Sequence, residues 1–198
     1  MTKVLFQRFA LFLILLGALA MPARAQLPFE QVLPAIPRED EAPVAILVDI
    51  TSGQVLHARN PDRRFMPASV TKVMTLYLAF ELIEQGRLDP AQVFTMSPVV
   101  AREWRRKGST MFLDAGERVR VDDLLLGIAN VSANDGAAVL GEGQAGSVAA
   151  WTLAMNYTAR GIGMSGSHFG TPNGFPDEGR TFTTANDLAS RQQAVNWS

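Results

Sequence analysis

The sequence predicts an α/β layer fold, because a short β-hairpin comes first and a series of helices follows it. The hairpin is indicated by an apolar run with Val and Ile over 45–50, turn residues over 51–54 and a second strand that starts at 55–58. A helix over 69–84 is apolar on almost every side, as buried helices are, and a clearly amphipathic helix spans 147–163. Two strands alone are a marginal sheet, so we expect the fold to need further strands that this sequence does not supply.

The remaining elements follow from helix-start and turn signals. A helix is predicted over 121–130, with Asp122 and Asp123 in the first turn, where the positive helix end favours carboxylates. A helix of small residues should follow after a short loop, and a last helix should begin near 183–184. The segment 166–182 between them is rich in Gly, Pro and Asn and is predicted to consist of turns.

Several conspicuous side chains are interpreted as structural. We expect the indoles of Trp104 and Trp151 in the core or in a cleft wall, His168 in a structural role, Asn173-Gly174 in a turn, and the arginine-rich stretch from Arg102 to Lys107 in a solvated turn.

The 198 residues suffice for one domain with a hydrophobic core. Residues 1–25 have the features of a secretory signal peptide, namely basic residues, a short apolar run and the small-x-small sequence Ala23-Arg24-Ala25. The alternative is an uncleaved N-terminal anchor, although the apolar run is short for a membrane-spanning helix. Three prolines and a charged cluster predict an extended lead-in over 26–42, and 43–198 is the predicted domain.

Composition excludes several classes of function. Eighteen Lys and Arg against 19 Asp and Glu give a net charge of −1, without the basic stripe of a nucleic-acid-binding protein. Without cysteine there is no disulfide, thiol nucleophile or thiolate metal site. The two histidines, His57 and His168, lack a metal-binding spacing. We therefore expect no nucleic-acid partner, no metal and no cofactor.

A serine and a lysine begin the apolar helix. Residues three apart lie on one helix face, so Ser69 Oγ and Lys72 Nζ are expected to meet. An uncharged lysine can remove the hydroxyl proton and make the serine a nucleophile. Burial and the positive helix end both disfavour an ammonium, so both should lower the pKa of Lys72. The S-x-x-K pattern is short, however, and an N-cap serine followed by an ordinary lysine is the alternative.

A second motif, Ser132-Ala133-Asn134, lies in a loop between two predicted helices. Serine acyl-enzymes with an S-x-x-K nucleophile carry a comparable S-x-N loop on the opposite wall of the cleft. There the Ser132 hydroxyl can relay protons and the Asn134 amide can hold a substrate carbonyl. Taken alone, the same three residues would be the cap of the next helix.

Three longer segments surround these motifs: FMPASVTKVMT, GSTMFLDAGERVRVDDLLLGIANVSANDGAAVL and GSHFGTPNGFPDEGRTFTTANDLA. Over about 43–189 the chain resembles the low-molecular-weight penicillin-binding D-alanyl-D-alanine carboxypeptidases. The resemblance implies a serine β-lactamase/DD-transpeptidase fold, a periplasmic location, a peptidoglycan pentapeptide with a D-Ala-D-Ala terminus as substrate, and covalent inhibition by β-lactams. It also implies that Ser69 is the nucleophile, Lys72 its base, Ser132 a further catalytic residue and Asn134 a substrate-binding residue.

The third motif of that family, K-T-G, is absent, and no lysine follows Ser132. The tripeptide Arg180-Thr181-Phe182 lacks the glycine and lies among turns. We therefore expect 43–198 to be a C-terminally truncated catalytic domain with an incomplete sheet and impaired turnover. The alternatives are a remnant that binds peptidoglycan without hydrolysing it, a destabilised fragment with no function of its own, and a class A β-lactamase, whose second motif usually reads S-D-N.

Overall fold

The computed structural model describes residues 37–194, with side chains up to residue 189. The predicted hairpin is confirmed, since β1 (Ala45–Val48) pairs antiparallel with β2 (Val55–Arg59). Asp49 closes its turn by accepting hydrogen bonds from the Thr51 amide and the Ser52 hydroxyl. The predicted signal peptide and most of the lead-in lie outside the described residues. The described end of the lead-in, 37–42, contains a turn instead of extended chain.

The helices within 37–194 are α1 (Thr71–Glu84), α2 (Pro98–Trp104), α3 (Val121–Val131), α4 (Asn134–Ala145), α5 (Val148–Gly161) and α6 (Ala185–Ala194). All of them except α2 agree with the prediction within a few residues. The predicted start of α1 is wrong in detail, because Ala68–Val70 forms a 3-10 turn that precedes the α-helix.

Three short elements were not predicted from the sequence. Strand β3 (Val93–Thr95) pairs antiparallel with β4 (Arg118–Arg120), and α2 follows β3 with Ser97 as its N-cap. The interpretation of the arginine-rich stretch as a solvated turn is therefore wrong for its first part. That part ends α2 and places Trp104 in the core, with 2% of its surface exposed.

Helix α4 lies at the centre of the molecule and packs against α2, α3 and α5. Its small residues permit this close packing. A Cβ at Gly141 would lie 2.8 Å from Trp151 Cγ, and one at Gly143 would meet the ring of Phe94. Trp151, at 1% exposure, is a core residue, which confirms that prediction. The core therefore forms between the helices, and the hairpin lies at its margin.

Within 37–194, β1 pairs only with β2, so the open hairpin edge that the sequence led us to expect is present in this part of the chain. Leu47 and Leu56 are each more than half exposed. A cavity of about 320 Å³ lies beside β1 and α6, lined by residues that include Ile46, Phe65 and Leu188. Among the described helices none combines the length and apolarity needed to cross a bilayer.

Candidate active site

The expected contact between Ser69 and Lys72 is present. Ser69 lies in the exposed 3-10 turn, and Lys72 lies in the first turn of α1, where its residue is only 3% exposed. The Nζ of Lys72 is 3.1 Å from Ser69 Oγ. Ala68 has a φ of +48°, an uncommon value for a residue with a side chain. An exposed hydroxyl thus meets a buried amine at a sharp turn in the chain.

The amine of Lys72 has one other partner. Its Nζ donates a hydrogen bond of 2.9 Å to the main-chain carbonyl of Asn173. No ion pair to Lys72 is present among the residues whose side chains are described. Burial lowers the pKa of Lys72 from 10.5 to about 8, because the ammonium loses its hydration without gaining a carboxylate. At neutral pH about one tenth of Lys72 is therefore uncharged and able to accept a proton.

Sequence reasoning missed Asn173, which it placed in an ordinary turn. Asn173 is 1% exposed, and besides its carbonyl contact to Lys72 it donates from Nδ2 to the Asn134 carbonyl at 3.3 Å. Its Oδ1 accepts from the Phe175 amide at 3.0 Å. The turn signal at Gly174 was correct, with a φ of +73°. What the turn does is bring a main-chain carbonyl to the lysine.

The second motif lies at the junction of α3 and α4. Ser132 ends α3 in a left-handed conformation, with a φ of +56°, and is half-buried. Asn134 begins α4 at 6% exposure and donates from Nδ2 to the Lys107 carbonyl at 2.8 Å. Hydrogen bonds thus join Asn134 to Lys72 through Asn173, whereas the Ser132 hydroxyl has no hydrogen bond to any residue of 37–189.

Asp135, the residue after Asn134, holds the loop over 111–113. This carboxylate is fully buried and accepts from the amides of Met111 and Leu113, at 3.0 and 3.1 Å, and from that of Gly136. The residue between the two loop amides, Phe112, has a φ of +61° and is 74% exposed. Asp135 therefore stabilises a strained loop beside the candidate site.

Replacing Asp135 with Asn should destabilise the fold, because one oxygen is lost and a buried amide keeps no acceptor. We expect a loss of about 2 kcal/mol, seen as a fall of roughly 5 °C in the melting temperature. Asp123→Ala is the control, since Asp123 is exposed and its carboxylate accepts no hydrogen bond among the described residues. Equal losses in the two variants would contradict this role of Asp135.

Other polar side chains lie apart from this network. The Nδ1 of His168 is 2.7 Å from the Arg180 carbonyl and its ring stacks on Phe182, so no described contact joins it to Ser69 or Lys72. Within 37–189 no three His, Asp or Glu side chains are grouped so that they could hold a metal ion.

Comparison with known proteins places the chain in a recognised family. The family described as D-alanyl-D-alanine carboxypeptidase matches residues 31–196. The D-alanyl-D-alanine carboxypeptidase DacF of Bacillus subtilis is 34% identical over 149 residues, which are 75% of this chain and 37% of DacF.

Solved structures agree with the sequence comparison. The D-alanyl-D-alanine carboxypeptidase DacD from Francisella tularensis matches with a TM-score of 0.74 and 34% identity, over 82% of this chain and 38% of DacD. Penicillin binding protein 5 from Haemophilus influenzae matches with a TM-score of 0.69 and 34% identity, over 74% and 43% of the two chains. The predicted fold class is thereby confirmed. The chain spans about two fifths of the length of these relatives.

Proposed function

The chain belongs to the D-alanyl-D-alanine carboxypeptidase family, and from this premise we propose that it carries the acylation site of a serine-type enzyme that removes the terminal D-Ala from peptidoglycan stem peptides. The observation that carries the proposal is the distance of 3.1 Å between Lys72 Nζ and Ser69 Oγ, combined with a lysine pKa of about 8. A buried amine without a carboxylate partner is suited to accept a proton from a serine hydroxyl.

The proposed reaction begins with the uncharged form of Lys72. As Ser69 Oγ attacks the carbonyl carbon of the penultimate D-Ala, the hydroxyl proton passes to Lys72 Nζ. The tetrahedral intermediate then collapses, the C–N bond to the terminal D-Ala breaks, and the leaving amine takes up the proton that Lys72 Nζ received, so Lys72 is uncharged again. The product is an ester on Ser69, and a water molecule hydrolyses it to release the shortened peptide.

Asn173 supports this cycle through its main chain. Its carbonyl accepts from Lys72 Nζ at 2.9 Å, which fixes the position of the amine in both charge states. In the uncharged amine one N–H can still donate to this carbonyl while the nitrogen lone pair faces Ser69 Oγ. The carbonyl therefore directs the lone pair of Lys72 towards the hydroxyl.

Ser132 and Asn134 form the proposed second wall. The Ser132 hydroxyl is free of hydrogen bonds within the described residues and is the proposed relay for the leaving-group proton. Asn134 is the proposed substrate-binding residue: one of its two amide hydrogens is occupied by the Lys107 carbonyl, and the other remains for a substrate carbonyl.

The proposal extends to location and inhibitors. The basic and apolar stretch over 1–25 favours export to the periplasm, where the peptidoglycan pentapeptide is found. β-Lactams are proposed as covalent inhibitors, since they present a strained amide to the same nucleophile, and one structural neighbour is a penicillin binding protein by name. The family match favours a carboxypeptidase over a class A β-lactamase.

The test is covalent labelling of the purified chain by a fluorescent penicillin, read as a band on a denaturing gel and as a mass increase at the peptide containing Ser69. Ser69→Ala is the matched control, because it removes one exposed oxygen. We expect a band in the parent chain and none in the variant.

Two other outcomes would contradict the proposal. Labelling that persists in Ser69→Ala would place the nucleophile elsewhere. A folded chain that is not labelled, yet binds a D-Ala-D-Ala muropeptide reversibly and equally well after Ser69→Ala, would identify a peptidoglycan-binding module without catalysis. A cooperative thermal transition, measured on the same sample, establishes that the chain is folded.

A further inference from the structure

One lysine outside the two motifs contacts both walls of the candidate site. Lys107 is half-buried, and its ammonium lies over two aromatic rings, 4.6 Å from the ring centroid of Trp104 and 4.7 Å from that of Phe175. The two rings also meet each other edge to face, with centroids 5.9 Å apart. An ammonium between two ring faces is attracted to both, most strongly where water is partly excluded. Lys107 has no ion pair to any described carboxylate.

The main chain of the same residue contacts the wall formed by Ser132 and Asn134. The Lys107 carbonyl accepts the side-chain amide of Asn134 at 2.8 Å. The next residue, Gly108, packs closely against Asn134 and Phe175, because a Cβ there would lie 2.7 Å from Asn134 Nδ2 and 3.6 Å from the Phe175 ring. This part of the chain therefore passes directly between Asn134 and Phe175.

The segment of Asn173 and Phe175 completes a closed circuit of contacts. The Phe175 amide donates to Asn173 Oδ1, and Asn173 Nδ2 donates to the Asn134 carbonyl. The carbonyl of Asn173 is in turn the partner of Lys72 Nζ. These contacts link Phe175 and the Lys107 carbonyl to the Asn134 amide and to the Asn173 carbonyl that contacts Lys72.

We propose that Lys107 is a positioning residue, whose ammonium, held between Trp104 and Phe175, fixes the Asn134 amide and the Asn173 carbonyl relative to each other. The inference rests on the proposed function for its effect on acylation, but the positioning itself can be measured without any activity. Lys107 acts through Asn134 and Asn173 and is not expected to touch the substrate.

The test compares Lys107→Met with Lys107→Arg and Arg106→Met. Methionine keeps most of the stem and loses the charge, whereas arginine keeps a cation that can lie over both rings. Arg106→Met is the matched control, since Arg106 is an exposed neighbour with no hydrogen bond, ion pair or ring contact within 37–189. Phe175→Leu is a second variant that removes one of the rings while leaving the lysine in place.

The measurement that does not depend on activity is the chemical shift of the two side-chain amide signals of Asn134 in a ¹H–¹⁵N spectrum. These signals are assigned by their disappearance in Asn134→Asp. In Lys107→Met, and to a smaller extent in Phe175→Leu, the pair should move towards the shifts of a free asparagine. In Lys107→Arg and Arg106→Met it should stay in place. The rate of acylation by a penicillin should fall about tenfold in Lys107→Met, which is the size expected for two ring contacts, and recover to within about twofold in Lys107→Arg.

The outcomes separate this inference from the proposed function. An Asn134 pair that does not move in Lys107→Met, or that moves equally in Arg106→Met, would overturn the positioning role. A parent chain that is never acylated would refute the proposed function, while the Asn134 resonances would still decide whether Lys107 fixes this wall.

Discussion

Replacing Lys72 with methionine is expected to lower the rate of acylation by a β-lactam about a thousandfold, the size of a lost general base, while the protein becomes more stable. The two effects have one origin. The amine is useful as a base because burial lowers its pKa to about 8, and the same burial makes its charged form costly at neutral pH. The shift from 10.5 corresponds to about 3 kcal/mol. Methionine removes that cost but leaves the Asn173 carbonyl without its donor. The lost hydrogen bond cancels about 1–2 kcal/mol of the gain in stability.

We therefore expect a rise of a few degrees in the melting temperature of Lys72→Met, together with loss of labelling. Lys72→Arg is the informative counterpart. A guanidinium stays charged at every accessible pH, so this variant should also lose acylation, but with a lower melting temperature. A Lys72→Met variant that is labelled at the parent rate would show that another group deprotonates Ser69.

The pH profile follows from the same pKa. Below about pH 8 the uncharged fraction of Lys72 grows tenfold per pH unit, so the acylation rate of the parent chain should rise with pH and level off above about 8. The free energy of unfolding should depend on pH over a different range. Between about 8 and 10.5 the unfolded state binds more protons at this residue than the folded state, so the Lys72 contribution to the free energy of unfolding increases with pH across that range. In Lys72→Met both dependences should disappear.

The sequence predicted the large elements because their signals extend over many residues. The hairpin and five of the six helices were visible in apolar runs, amphipathic spacing and turn residues. The elements that were missed are β3, β4 and α2, of three, three and seven residues. A three-residue strand is too short for an alternating pattern to be recognised, and α2 ends in an arginine-rich stretch that suggests solvent.

In the candidate site, too, some contacts could be predicted from the sequence and others could not. The Ser69–Lys72 pair was predictable because both residues belong to one helical repeat, and the contact depends on local geometry alone. Asn173 contributes a main-chain carbonyl, a group that every residue has, from 101 positions further along the chain. Lys107 was interpreted as part of a solvated basic stretch because nothing in the sequence places the Phe175 ring beside it. Contacts between side chains that are close in sequence could be predicted from residue type. Contacts that depend on which distant segments the fold brings together could not.

Gly174→Ala is expected to be the most disruptive single-methyl substitution in the site. A Cβ at Gly174 would collide with the carbonyl oxygen of Ala68, the residue immediately before the nucleophile, and would lie 2.6 Å from Thr71 Oγ1. The residue also has a φ of +73°, where an alanine is strained. Relief requires either the 3-10 turn that carries Ser69 or the carbonyl that contacts Lys72 to move. We expect a loss of about 3–5 kcal/mol, a melting temperature lower by roughly 10 °C, and acylation reduced at least a hundredfold even at temperatures where the variant remains folded.

Gly179→Ala separates the two causes within the same loop. Gly179 has a φ of +81°, but a Cβ there would have no atom within 4 Å. This variant therefore has the backbone strain without the collision, and it should lose about 1–2 kcal/mol and be acylated at the parent rate. If the two variants lost equal stability and both kept full acylation, the close approach of Gly174 to Ala68 would not exist in solution. A larger loss in Gly174→Ala than in Gly179→Ala would show that position 174 needs a glycine. The chain must pass close to Ala68 there, because this passage brings the Asn173 carbonyl within reach of Lys72.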